Sequence, residues 1–176
     1  TYLQLTCLIE GYYIGNAQMT PAAVNEGCAW AVPDLTDRVL IQLRNATAPY
    51  AIVGQAIANL SVTGVTISVP ITHSKLQSGS YYIVVKNTRN AVEIWSSHAV
   101  GFTLGQTTSY DFTRDPANTF GNNVKKVGGT APGYPLGVFA MYSGDVNQDG
   151  NIDLIDDQLM EYAVTLFPDP DSPTIP

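Results

Sequence analysis

Apolar and polar positions alternate in short runs over most of this chain, with the period of two that marks strands burying one face. Leu3, Leu5, Cys7 and Ile9 interleave with Gln4, Thr6 and Leu8, and Val39, Ile41 and Leu43 interleave with Leu40, Gln42 and Arg44. Further strand-like runs lie at 51–57, 62–69, 81–86, 92–95, 99–104 and 109–112, with Asn59 and Gly64 as punctuation. Turn signals separate them: Gln77-Ser-Gly-Ser80, Asn87-Thr-Arg-Asn90 and Gly105-Gln106. Roughly seven to nine strands, with no helical period before residue 153, predict an all-β fold. The expected architecture is an immunoglobulin-like or prealbumin-like β-sandwich with a small C-terminal loop and a single helix.

The period changes only near the C-terminus. Leu154, Ile155, Leu159, Tyr162 and Ala163 recur at helical spacing and predict a helix over 153–166. Upstream, Gly128-Gly-Thr-Ala-Pro-Gly-Tyr-Pro-Leu-Gly137 is the strongest linker signal. It divides the chain into a sandwich at 1–127, a Gly/Pro-rich linker at 128–137, a strand, loop and helix at 138–167, and a Pro-rich tail at 168–176. About 40 residues cannot form a core of their own. The appendage is therefore expected to pack on the sandwich through Val138, Ala140, Ile152, Leu159 and Phe167.

Between strand and helix lies Asp145-Val-Asn-Gln-Asp149-Gly-Asn-Ile-Asp-Leu-Ile-Asp156. Asp145, Asn147 and Asp149 fall at positions 1, 3 and 5 of a twelve-residue calcium loop, and Gly150 falls at the sharp turn of position 6. Asn151 offers its backbone carbonyl at position 7. Asp153 at position 9 serves directly or through a water, and Asp156 closes the shell at position 12. Ile152 at position 8 is the apolar pin to a neighbouring core. The spacing predicts Ca2+ as the bound ion, in the role of a structural staple.

No entering helix precedes the loop, because Gly137-Val-Phe-Ala-Met-Tyr-Ser-Gly144 reads as a strand. A loop followed by an exiting helix resembles half of a type I dockerin, the module that docks secreted enzymes onto cohesins. Such dockerins carry two loops where this sequence has one, which counts against cohesin-type docking. The wider chain resembles a C-terminal β-sandwich region followed by dockerin-like loops in secreted Bacteroidota proteins. Ile9-Glu-Gly-Tyr-Tyr13, Val39-Leu-Ile-Gln-Leu-Arg-Asn-Ala-Thr47 and Ser80-Tyr-Tyr-Ile-Val-Val-Lys-Asn87 carry that likeness, with Val92-Glu-Ile-Trp-Ser96 and Tyr110-Asp-Phe-Thr113. The resemblance implies architecture and secretion, and no activity.

Charge sharpens the division. The net charge is −7, yet residues 1–144 hold seven acids and eight bases, while 145–176 hold eight acids and no base. A bound cation would offset part of that repulsion, and the balance argues against a nucleic-acid partner. No apolar run approaches the roughly 20 residues of a bilayer span. Thr1 leads at once into strand-like sequence without an initiator Met, as in a processed or trimmed chain. An extracellular or cell-surface location is expected. There the two cysteines, Cys7 and Cys28, are expected to form a disulfide worth on the order of 3 kcal/mol, the alternative being two buried thiols.

Catalytic patterns are missing from the sequence. His73 and His98 sit in no ligand or nucleophile motif, and no Gly-x-Ser-x-Gly, phosphate loop or His-Glu-x-x-His occurs. The glutamates are Glu10, Glu26, Glu93 and Glu161, and a glycosidase pair such as Glu10 with Glu93 depends on their separation in space. Tyr12-Tyr13 and Tyr81-Tyr82 place one ring on each side of a strand, so either pair offers a surface for stacking sugars or a side chain for the core. Asn45-Ala-Thr47 and Asn59-Leu-Ser61 match the N-glycosylation pattern.

The expected function is therefore a non-enzymatic, calcium-stabilised subunit of a cell-surface filament or matrix, self-associating through terminal strands at 1–10 or 163–167. The ordinary alternative for the N-terminal segment is a first strand of its own sandwich. The competing function is an anchoring module from a larger secreted enzyme, binding surface glycans or another secreted protein.

Overall fold

The computed structural model describes residues 1–66, 69–71, 76–87 and 89–166, with the backbone alone described over 163–166. In chain order the elements are β1 (Tyr2–Thr6), β2 (Tyr13–Gly15), β3 (Gln18–Met19), α1 (Ala22–Asn25), β4 (Leu35–Asn45) and β5 (Ile52–Ser61). They continue with β6 (Val69–Pro70), β7 (Gly79–Lys86), β8 (Ile94–Trp95), β9 (Val100–Phe102), β10 (Thr107–Asp111), β11 (Lys125–Gly128), β12 (Val138–Ala140) and α2 (Leu154–Leu166). The fold is all-β, with one helix longer than two turns.

Two sheets enclose the core. The larger runs β5-β4-β7-β8 with β9 also paired to β7, and the smaller runs β10-β1-β6. Its neighbours pair antiparallel except for β1 and β10, which run parallel. The alternating pattern decides which side chains meet. Ile41 faces Val85 and Leu43 faces Ile83 in register, and all four are buried with Leu3, Leu5 and Leu60 in one cluster. Their alternates, Gln42, Arg44, Tyr82 and Lys86, stand on the outer face of the larger sheet.

The expected strand over 62–69 breaks into three parts. β5 ends at Ser61, the chain reverses at Gly64, and β6 begins at Val69. Gly64 has φ +74°, its N–H bonds Ser61 O, and a Cβ there would overlap the carbonyl of Cys7. Only glycine fits that position without rearrangement.

The segment expected to act as a linker, 128–137, is the connection of hairpin β11–β12, crossed by an Ala131–Tyr134 bridge. Its second strand belongs to the main core: Val138, Phe139, Ala140 and Met141 are all buried there. Of the residues expected to seat the appendage, Val138 and Ala140 do so. Ile152 and Leu159 are 49% and 40% exposed, and Phe167 lies outside the described residues.

Two expectations about the chain's covalent and terminal organisation are corrected. Cys7 and Cys28 are free thiols and form no disulfide. Cys7 is sealed in the core after β1, whereas Cys28 follows α1 near the surface, where its Sγ lies 3.6 Å from Arg89 Nη2. Neither described terminal segment is a strand open for exchange. β1 is held on both sides, by β10 and β6, with Leu3 and Leu5 wholly buried. Residues 163–166 end α2 as helix, and 167–176 lie outside the described residues. Among the described residues no helix is long and apolar enough to cross a membrane.

Candidate functional site

The Asp145–Asp156 loop is seated on the larger sheet by backbone. The N–H groups of Gly144 and Asp145 both donate to Asn90 O, at 2.6 and 3.1 Å, and Ala91 bridges Ser143. Asn90 is itself held through Asn87, whose side-chain oxygen accepts from the N–H groups of Arg89 and Asn90. The Asn87 amide then donates to the buried Asp37 carboxylate of β4 at 2.9 Å. Asp37 also faces Arg89 at 3.4 Å. A buried carboxylate on the central strand thus anchors the turn that carries the loop.

Within the loop, side-chain oxygens curl back onto backbone N–H groups. Asp145 Oδ1 accepts from Asp149 N at 3.1 Å and Oδ2 from Gly150 N at 3.1 Å. Asn147 Oδ1 accepts from Asp149 N, and Asp149 Oδ1 accepts from Asn151 N, each at 2.9 Å. Gly150 takes φ +92°, the turn that position 6 requires. The Asn147 and Asp149 bonds form two successive Asx turns, and the Asp145 bonds draw the loop back on its first residue.

Asp156 closes the loop. It is 1% exposed, its Oδ1 accepts from Val146 N and Asn147 N at 2.7 and 3.1 Å, and its Oδ2 accepts from Asp153 N at 3.0 Å. Asp153 Oδ1 in turn caps α2 by accepting from Ile155 N at 2.9 Å. Asp153 and Asp156 therefore form a reciprocal capping box that joins the loop's start, its end and the helix. The N–H groups of Asp153 and Asn147 hold the Asp156 carboxyl below the usual carboxylate range. Asp149 is lowered likewise, chiefly by the N–H of Asn151.

The donor set suits a hard divalent cation: carboxylates, an Asn amide oxygen and backbone carbonyls, with no sulfur or imidazole. No ion pair among the described residues involves a loop acid, so the loop carries its negative charge without a basic partner. No group of three or more His, Cys, Asp or Glu among the described residues is gathered tightly enough to hold an ion. The six expected ligands, Asp145, Asn147, Asp149, Asn151, Asp153 and Asp156, share one loop, and each of its four carboxylates from these positions accepts at least one backbone N–H. Two of the six contributions, from Asn147 and Asn151, are neutral oxygens in any case.

Other candidates are dispersed. Glu10 pairs with Lys125, whereas Glu93 pairs with Lys86 and accepts from Trp95 Nε1 at 2.8 Å. His98 is exposed beside Ser97 Oγ, and His73 lies outside the described residues. Tyr81 turns into the core and Tyr82 to the outer face, the split expected of neighbours on a strand.

Sequence reasoning missed what surrounds Tyr82. Tyr50, from the turn before β5, sets its ring edge-on to Tyr82 and Trp95 at centroid distances of 5.9 and 6.2 Å. Phe120, from a 3-10 turn, completes a depression of about 270 Å3 with these three rings. Their positions, 50, 82, 95 and 120, carry no shared spacing that would have revealed the cluster. The sequence matches no known family model, and the chain matches no curated relative and no solved structure.

Proposed function

We propose that this chain is a non-catalytic, calcium-organised β-sandwich subunit that assembles with copies of itself at a cell surface. One observation carries the proposal: α2 turns the apolar side chains described over 154–162 to solvent while its first turn is locked to the loop by a buried carboxylate. Leu154 is 68% exposed, and Ile155 and Leu159, one turn apart, are exposed with Met160 beside them. A helix of this kind holds a stripe of apolar surface that stays wet in the isolated chain.

The occupant proposed for that stripe is a second copy. Residues 145–176 carry eight acids and no base, so two such segments repel until a cation lowers their charge. Calcium at Asp145, Asn147, Asp149, Asn151 and Asp156, with Asp153 in the inner or outer shell, would supply that neutralisation and fix the angle of α2. This places assembly on the loop–helix segment, since β1 is committed to its own sheet.

Electron microscopy and sedimentation of the purified chain, in millimolar calcium and after chelation, test the proposal. Ordered assemblies in calcium that disperse on chelation are the expected result. Single particles in both conditions would overturn self-assembly and favour an anchoring module for another secreted protein.

A further inference from the structure

The outer face of the larger sheet carries a second feature that the assembly proposal does not use. The aromatic depression of Tyr50, Tyr82, Trp95 and Phe120 adjoins a wider cleft of about 620 Å3 that runs to the acidic loop. Trp95 lines both, so the two meet at its ring and together make up the candidate ligand groove. Beyond Trp95 the cleft is walled by Lys86, Glu93, Asn123, Gln148 and Asp149. The groove thus passes from a floor of aromatic rings to a wall of amide, amine and carboxylate groups.

Its central ring is held in place before any ligand arrives. The Trp95 indole N–H donates to Glu93 Oε1 at 2.8 Å, and Glu93 is fixed by its ion pair with Lys86. From the other side the Arg44 guanidinium lies 5.1 Å from the Trp95 ring centroid, while Gln42 Oε1 accepts from Arg44 Nη2 at 2.7 Å. A ring oriented by its neighbours costs little to order on binding. Phe120 is 65% exposed, an unusual position for a phenylalanine with no structural duty.

We propose that this groove binds a neutral oligosaccharide. Pyranose rings combine an apolar C–H face with a rim of hydroxyl groups, and the groove offers the complement of both: aromatic faces, then closely set donors and acceptors. Charge decides against anionic ligands. Lys86, the only base among the described residues that line the cleft, is paired with Glu93, Arg44 is engaged by Gln42, and calcium at the loop would offset the carboxylates of Asp145 and Asp149, so little unpaired charge is left there. A phosphate, a nucleic acid or a uronate would find no unpaired base among the described residues that line the cleft. The aromatic part of the site is separate from the face proposed for self-assembly, because it lies on β7, β8 and two turns of the sandwich rather than on α2.

The test is titration of the full chain with neutral oligosaccharides of three to six glucose, mannose, galactose or N-acetylglucosamine units. Binding is read by calorimetry and by Trp95 fluorescence in a Trp30→Phe background. Saturable binding of at least one series is expected, weakened roughly tenfold by Phe120→Ala and further by Trp95→Ala. Leu104→Ala, an exposed position away from the groove, should leave it unchanged. Failure of every neutral series to bind the folded chain at millimolar concentration would overturn the proposal, as would full affinity in Phe120→Ala. Preference for oligogalacturonate would overturn the charge argument. Binding of a peptide of residues 167–176 in place of any sugar would make the groove a proline-rich peptide site instead.

Discussion

The sandwich and the loop–helix segment invert each other's chemistry. In the sandwich, Leu3, Leu5, Ile41, Leu43 and Ile83 are buried and the polar alternates face out. Among the described side chains from residue 145 to 162, the buried ones are Asp145 and Asp156, while Ile152, Leu154, Ile155 and Leu159 are exposed. The first region is held by apolar area removed from water, which is insensitive to ions. The second is held by carboxylates that accept backbone N–H groups, an arrangement open to pH, cations and partners. One chain therefore holds a body closed by apolar burial and an arm closed by buried carboxylates.

The largest expected effect separates the two regions by truncation. Leu43→Ala should cost about 2–5 kcal/mol of stability, since Leu43 is wholly buried and its loss leaves a cavity. Urea unfolding should show the same loss with and without calcium. Leu159→Ala on α2 should stay within about 0.5 kcal/mol while weakening self-association. Equal costs for the two would erase the contrast.

Next in size is the closure of the loop. Asp156→Ala removes the acceptor of three backbone N–H groups. Amide exchange at 146–157 should quicken roughly tenfold or more, while β4 and β7 keep their protection. Asp149→Ala makes the complementary point about the ion. Calcium should raise the thermal midpoint of the natural sequence and leave that of the variant unmoved. A full calcium-dependent shift in Asp149→Ala would remove this residue from the ligand set.

A smaller contrast lies in the thiols. Burial, with a minor contribution from Asp111, pushes the Cys7 thiol up to about 12. A thiol reagent at pH 8 should therefore label Cys28 in the native chain and reach Cys7 only on unfolding. Absence of labelling after unfolding without reductant would restore the disulfide.

The smallest effect is expected at Glu93. Burial raises its pKa, but the hydrogen bonds from Lys86 and Trp95 outweigh burial and the net shift is downward. A depressed carboxyl stabilises the fold above its unfolded value of about 4.3 and loses that contribution as pH falls through the folded value. Trp95 fluorescence should shift reversibly below about pH 4, before the core unfolds. An unchanged spectrum down to acid denaturation would show that Glu93 does not hold the indole.

What the sequence revealed follows from the same contrast. β4 was legible from the alternation over 39–44, and β7 from its run of aromatic and β-branched residues at 81–85. β12 was legible as a strand but not as part of the main core, because Val138, Phe139 and Ala140, all buried, show no alternation that tells one neighbour from another. Gly and Pro at 128–137 signalled a break, but the same residues mark a linker and a hairpin turn alike. The two-residue β3 and the four-residue α1 have no period to read, and tertiary contacts define them. The calcium spacing was plain because its partners are neighbours in the chain. The aromatic groove was not, because its rings come from four separate segments that only the folded sheet brings together.

The most direct test of the account is a calorimetric calcium titration of the intact chain, paired with hydrogen exchange in calcium and in chelator. One ion bound per chain, with new protection concentrated in 145–166 and none in β4 or β7, is the expected result. No binding at millimolar calcium, or protection gained in the sandwich instead of the arm, would contradict it.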